Sequence, residues 1–323
     1  MLKRRKSFAL TLTAAAVPAF GLCPSLGWAG ALLGGAAAAW ILNRTERALR
    51  GRSLAKAAAC GAVGRAAAAV SALGLFGLAL WAAGRSRLAF PETAGSPLAA
   101  ALIFALSFWA ARSGAEAVGR CAAVLLPLLA VLYGVILVFS LSQLRLSWLL
   151  PTGTPRAGLR ACVSLLLPGA ALFLRREDGV SVSRGTAIAA LAAAAAAAVT
   201  AGTLSPPAAA ARAAFLTVSR SVSILGVIQR FEALISGAML MSGFCLCTLL
   251  LLAARELLDS LAPKKSSAAV KTSAFAAGLI FLWLPTPETF RLTGVTAICG
   301  GVACAFLLFV VSKNKSQKNE ENA

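Results

Sequence analysis

The chain has 323 residues, 59% of them hydrophobic and 13% charged, with a mean hydropathy of +0.83. A soluble domain is nearer ~45–50% apolar and ~25% charged, so the composition points to an integral membrane protein. The formal charge of +20 would suit a nucleic-acid partner, but the Lys and Arg fall in short clusters between apolar runs, as loops of a membrane protein do.

The absence of histidine excludes His-based metal sites and His-based catalysis, and the eight cysteines contain no C-x-x-C pair. Cys245 and Cys247 are alternate residues of an apolar helix, so they point to different faces and read as packing residues rather than as a metal clamp. No metal and no cofactor is expected.

In chain order, Lys3, Arg4, Arg5 and Lys6 precede an apolar run at 7–22. This run reads as a first membrane helix rather than a signal peptide, and Leu22 ahead of Cys23 is wrong for a lipoprotein cleavage site. A second run at 26–42 holds Gly30 and Gly34, a small-xxx-small spacing that permits close helix contact. After the basic segment 43–56, a third span at 57–83 carries Arg65 near its basic end, placed to snorkel to the surface. A fourth, short span at 98–111 leads through a basic turn at 110–120 into a fifth at 121–141 with Pro127 inside.

The loop 142–160 precedes a short sixth span at 161–174, broken at Pro168 and Gly169. The seventh, 185–204, is nearly poly-Ala, and 205–229 reads as the longest loop. The eighth, 233–254, has no ionisable acid or base, and a helix rising ~1.5 Å per residue needs ~20 residues to cross a bilayer core. Runs at 272–284 and 292–312 complete ten spans. They form one membrane domain over 1–318, in halves 7–141 and 161–312, with a polar tail at 313–323 expected to be disordered.

Ten spans put both termini on one side. Only nine of the 31 Lys and Arg then fall on the opposite side, which places both termini in the cytoplasm by the positive-inside rule. The first span of each half carries the helix breakers: Pro18, Gly21 and Pro24 in one, Pro168 and Gly169 in the other. Matching breaks in corresponding spans point to a midplane ligand site in inverted-repeat transporters. The candidate ligand-binding residues are therefore Gly21, Leu22, Cys23, Pro24, Pro168 and Gly169, with Ser242 from the eighth span. Arg230 and Glu232, at the external mouth of that span, are the candidate gate. No Asp or Glu lies at mid-depth in any span, which disfavours a carboxylate proton relay, and nothing resembles the constellation of an enzyme active site.

Four stretches carry a family resemblance. They are Pro91-Glu92-Thr93 with Pro97; the turn Ala111 to Arg120 followed by Leu125-Leu126-Pro127; Leu149-Leu150-Pro151; and Arg220-Ser221-Val222-Ser223-Ile224 with Arg230-Phe231-Glu232-Ala233-Leu234. In their order and spacing they resemble the spore germination permeases, the B subunits of nutrient germinant receptors in the amino acid/polyamine transporter superfamily. The resemblance implies an all-α membrane protein of ten transmembrane helices in a LeuT-like 5+5 inverted repeat with helices 1 and 6 broken. It also implies sensing of an amino-acid-like nutrient in the inner membrane of the spore, beside an A subunit and a lipoprotein C subunit. The alternatives are an amino-acid or polyamine transporter of the same superfamily and a degenerate structural membrane subunit.

Overall fold

The computed structural model describes residues 27–47, 62–86, 97–149, 182–204, 214–221 and 231–261, with the shorter pieces 158–159, 162, 165–166, 274–280 and 282. Regular structure among them is entirely helical. In chain order the helices are α1 (27–47), α2 (Ala62–Ser86), α3 (Pro97–Ser113), α4 (Ala115–Leu141), α5 (Val182–Thr203), α6 (Ala214–Ser221), α7 (Phe231–Leu261) and the segment α8 (274–280). A 3-10 turn, Leu146–Trp148, follows α4.

Four helical stretches among the described residues are long and apolar enough to cross a membrane: Arg65–Gly84, Glu116–Leu141, Val182–Thr203 and Leu234–Leu261. α3 is apolar but has only 17 residues, about 26 Å at 1.5 Å per residue. It starts on Pro97, whose fixed φ and missing N–H suit the first helical turn. It is separated from α4 by a single residue, Gly114, at φ 89° and ψ 166°. That region of backbone space is essentially reserved for glycine, so Gly114 turns the chain at no side-chain cost.

α7 is the packing centre. It lies chiefly against α2 and also contacts α3, α4 and α6. Its Leu246, Leu250 and Leu257 are fully buried, as are Leu75 of α2 and Phe104 of α3. α4 is peripheral, with 33% of its span buried against 61%, 61% and 67% for α2, α5 and α7.

Three helix pairings join the first part of the chain to the second. α1 meets α5 where a Cβ on Gly35 would run into Ala190. α2 meets α7, and the Cys247 thiol donates to the Ala79 carbonyl at 3.5 Å. α3 meets α8 through Phe104 and Phe108 on Phe275, with ring centroids 6.1 and 4.4 Å apart. Small residues make the first pairing close: in an apolar solvent helices associate by packing, and Ala and Gly let backbones approach.

Cross-links at the helix termini sort the bundle into two ends. The Ser183 hydroxyl donates to the Glu46 carboxylate at 3.1 Å, joining the C-terminus of α1 to the N-terminus of α5. The Arg255 guanidinium donates to the Ala111 carbonyl at 3.4 Å, joining the C-terminal part of α7 to that of α3, next to the start of α4. These make one end. At the other, the Trp28 indole donates to the Leu149 carbonyl at 3.0 Å and the Arg145 N–H donates to the Gly202 carbonyl at 2.8 Å. The first end holds Arg44, Arg47, Arg112, Arg120, Arg184 and Arg255, whereas Arg145 lies at the second.

Two expectations change. The long loop expected at 205–229 contains helix α6. The eighth span does not stop at Ala254 but runs helically to Leu261, and the charged turn beyond it carries an Arg255–Asp259 ion pair at 3.6 Å. The expected spans at 7–22 and 292–312, and most of 161–174, lie outside the described residues.

Candidate functional site

The second end of the bundle is built from α1, α4, α5, α6 and the start of α7. Its core combines Ala31, Ile136, Ala193, Ala197, Phe215 and Ile235. The sequence of α6, AFLTVSRS, places Phe215, Val218 and Ser219 three and four residues apart, and all three are buried while Thr217 is exposed. This short amphipathic helix packs its apolar face against α4, α5 and α7 at that end of the bundle. Phe215 sits against Tyr133, the one tyrosine of the chain, with ring centroids 5.3 Å apart.

The neighbouring helix ends are tied by a hydrogen bond and a cation–π contact. Trp28 reaches the Leu149 carbonyl, and the Arg145 guanidinium lies 4.6 Å from the Trp148 ring centroid. Gly202 approaches Leu144 so closely that a Cβ would stand 2.9 Å from its Cγ. The Ser140 hydroxyl, near the C-terminus of α4, is buried and has no hydrogen-bond partner among the described residues. A buried hydroxyl without a partner costs roughly 1–3 kcal/mol, so it is a group in want of a polar neighbour.

At mid-depth the polar groups are hydroxyls and thiols. Ser107 of α3 donates to the Phe244 carbonyl at 3.5 Å and also meets Cys247. Thr248 returns its proton to the Phe244 carbonyl of its own helix at 2.7 Å. Ser71 is buried with an unpartnered hydroxyl among the described residues. This inventory suits hydrogen bonding to a small neutral or zwitterionic ligand. No group of three metal-ligating side chains occurs among the described residues.

Of the residues expected to form the ligand site, Ser242 is described. It lies on α7, 1% exposed, on the same helical face as Ala238 and Cys245. Gly21, Leu22, Cys23, Pro24, Pro168, Gly169 and the gate residue Arg230 lie outside the described residues. Glu232 falls in the first turn of α7. Among the described residues the candidates are Ser242 and Glu232 alone, ten residues apart on α7. Conversely, sequence reasoning passed over α6, Tyr133 and Ser140. The three- and four-residue spacing of Phe215, Val218 and Ser219 was the available signal for α6.

Neither a protein-family model nor a curated protein matches the chain.

Proposed function

We propose that the chain is a permease-like receptor subunit that binds an amino-acid-like nutrient, built as a ten-span 5+5 inverted repeat. The observation that supports this reading most is the set of three helix pairings. In the expected span order, α1 and α5 are spans two and seven, α2 and α7 are spans three and eight, and α3 and α8 are spans four and nine. Three of the four described spans of the first half thus pack on the span five places later, and the partner expected for α4 lies outside the described residues. Two halves inserted in opposite senses around a pseudo-two-fold axis in the membrane plane bring equivalent spans together in this way.

In this reading the basic end of the bundle faces the cytoplasm, because cytoplasmic loops carry the excess of Lys and Arg. The end that carries α6 then faces outward, and ligand enters beneath that helix. The breaks at Gly21, Leu22, Cys23 and Pro24 and at Pro168 and Gly169 supply backbone donors and acceptors, and Ser242 supplies a hydroxyl. Arg230 and Glu232 flank the start of α7 as the gate. The setting is the inner membrane of the spore, with an A subunit and a lipoprotein C subunit as partners. Carriage of amino acids or polyamines is the second reading, since α6 at the outward end fits a gated pathway as well as a sensor.

The test is thermal stabilisation of the purified protein across a panel of amino acids and polyamines, since a ligand that binds only the folded state raises the melting temperature by mass action. At ~100 times Kd the gain is about 2.7 kcal/mol. A stabilising ligand that proteoliposomes do not accumulate supports the receptor. Accumulation favours the carrier, and a panel without any shift overturns nutrient binding.

A further inference from the structure

The outer face of α1 carries a stripe of exposed residues: Leu33, Ala36, Ala37, Trp40, Arg44 and Arg47. At 3.6 residues per turn these positions fall within an arc of about 100°. The opposite face, with Ala31, Ala38, Leu42 and Thr45, is buried against the bundle. The stripe changes character along its length. Leu33 and Trp40 are 73% and 62% exposed, and no charged residue falls between 27 and 43. At the basic end of the bundle the Arg44 guanidinium lies over the Trp40 ring, 5.7 Å from its centroid, and Arg47 follows one turn on.

We propose that this stripe binds one anionic phospholipid, with the headgroup phosphate held by Arg44 and Arg47 and an acyl chain lying along Leu33, Ala36 and Ala37. Three features select that occupant. An exposed apolar run on a chain of this hydropathy meets acyl chains rather than water. A tryptophan settles at the headgroup level of a bilayer, which puts Arg44 and Arg47 at the depth of the phosphates. Guanidiniums three residues apart on a helix are neighbours, and their planar forks of N–H donors match phosphate oxygens.

The ring contact limits where the long Arg44 side chain can go, so less rotamer freedom is lost when it meets a phosphate. The acid of this helix, Glu46, falls on the side away from the stripe and accepts the Ser183 hydroxyl at 3.1 Å. Arg184 follows Ser183, is exposed, and adds positive charge at the same helix end. A zwitterionic lipid brings its own cation to these arginines, so the stripe discriminates by headgroup charge. The inference stands apart from nutrient binding and holds whichever ligand the receptor takes.

The test uses the full chain in detergent, titrated with phosphatidylglycerol or with phosphatidylcholine, and native mass spectrometry counts the lipid retained per chain. The expected result is one phosphatidylglycerol held more tightly than any phosphatidylcholine. Arg44→Gln/Arg47→Gln should weaken phosphatidylglycerol about 25-fold, about 5-fold for each arginine, and leave phosphatidylcholine unchanged. Arg145→Gln, which removes the guanidinium beside Trp148 at the other end of the bundle, should change neither. Equal retention of the two lipids, or unchanged phosphatidylglycerol binding in the double variant, overturns the site. So does an equal loss in Arg145→Gln. Displacement of the lipid by inorganic phosphate at the same concentration also overturns it, since free phosphate has no acyl chain to lay along Leu33. If the double variant does not survive extraction, Arg44→Gln and Arg47→Gln are measured singly. A loss of about 5-fold in each then supports the site, and no loss in either overturns it.

Discussion

Gly35 and Ala190 meet at the crossing of α1 and α5 so closely that the glycine has no room for a Cβ. The Leu165 side chain stands on the other flank, 3.2 Å from where that Cβ would lie. Both helices must therefore move apart if Gly35 gains a side chain. Gly35→Ala is expected to destabilise the protein by about 1–3 kcal/mol, the range for overpacking in a close-packed interior. Ala190→Gly in the same chain should recover much of that loss. Thermal melts of the two single variants and the double variant check this, and simple additivity of the two effects would remove the contact from the account.

Gly114 is a backbone device, where Gly35 is a packing one. Its φ of 89° and ψ of 166° put an alanine in a region that only glycine occupies freely. Gly114→Ala is expected to cost about 1–3 kcal/mol, with the damage confined to the α3–α4 turn. Hydrogen exchange should show faster opening at the end of α3 and the start of α4. Unchanged exchange and an unchanged melting temperature would contradict the conformation.

The seating of α6 rests on Phe215, which is 1% exposed. Phe215→Ala removes the ring from Tyr133 and should cost about 3–5 kcal/mol if the site cannot collapse. More telling is access to Ser140, the buried hydroxyl near the C-terminus of α4 at the same end of the bundle. In a chain whose other cysteines are replaced by serine, a Cys placed at Ser140 should react with a polar thiol reagent several-fold faster once Phe215 is alanine. Equal rates with and without Phe215 would show that α6 does not guard that end.

The sorting of helix termini makes a sidedness prediction that needs no ligand. Cysteines placed at Arg47, Arg112 and Arg184 should be labelled from one face of the membrane, and cysteines at Gln143 and Thr217 from the other. Impermeant labelling of intact cells and of inverted vesicles separates the two sets. The basic set is expected on the cytoplasmic face. Labelling of Arg112 and Gln143 positions from the same face would break the arrangement of α3 and α4.

The order and approximate positions of the long helices were legible in the amino-acid sequence alone, but not where they end. Apolar length, the loop Pro and Gly residues and the basic clusters are local properties, and they located α2, α3, α4, α5 and the body of α7. A turn between α3 and α4 was legible for the same reason, though it was expected over 110–120 and is confined to Gly114, as was the divergence of Cys245 and Cys247 to different helix faces. Which helices touch was not legible. The spacing of Gly30 and Gly34 drew attention to α1, yet the closest approach to α5 falls at Gly35, because in a helix so rich in Ala and Gly several faces satisfy the same pattern. Helix α6 went unread in a loop because its one signal, the spacing of Phe215, Val218 and Ser219, spans barely more than one turn. Those contacts follow from how the helices cross, and that is decided by side-chain volumes summed over pairs of distant segments.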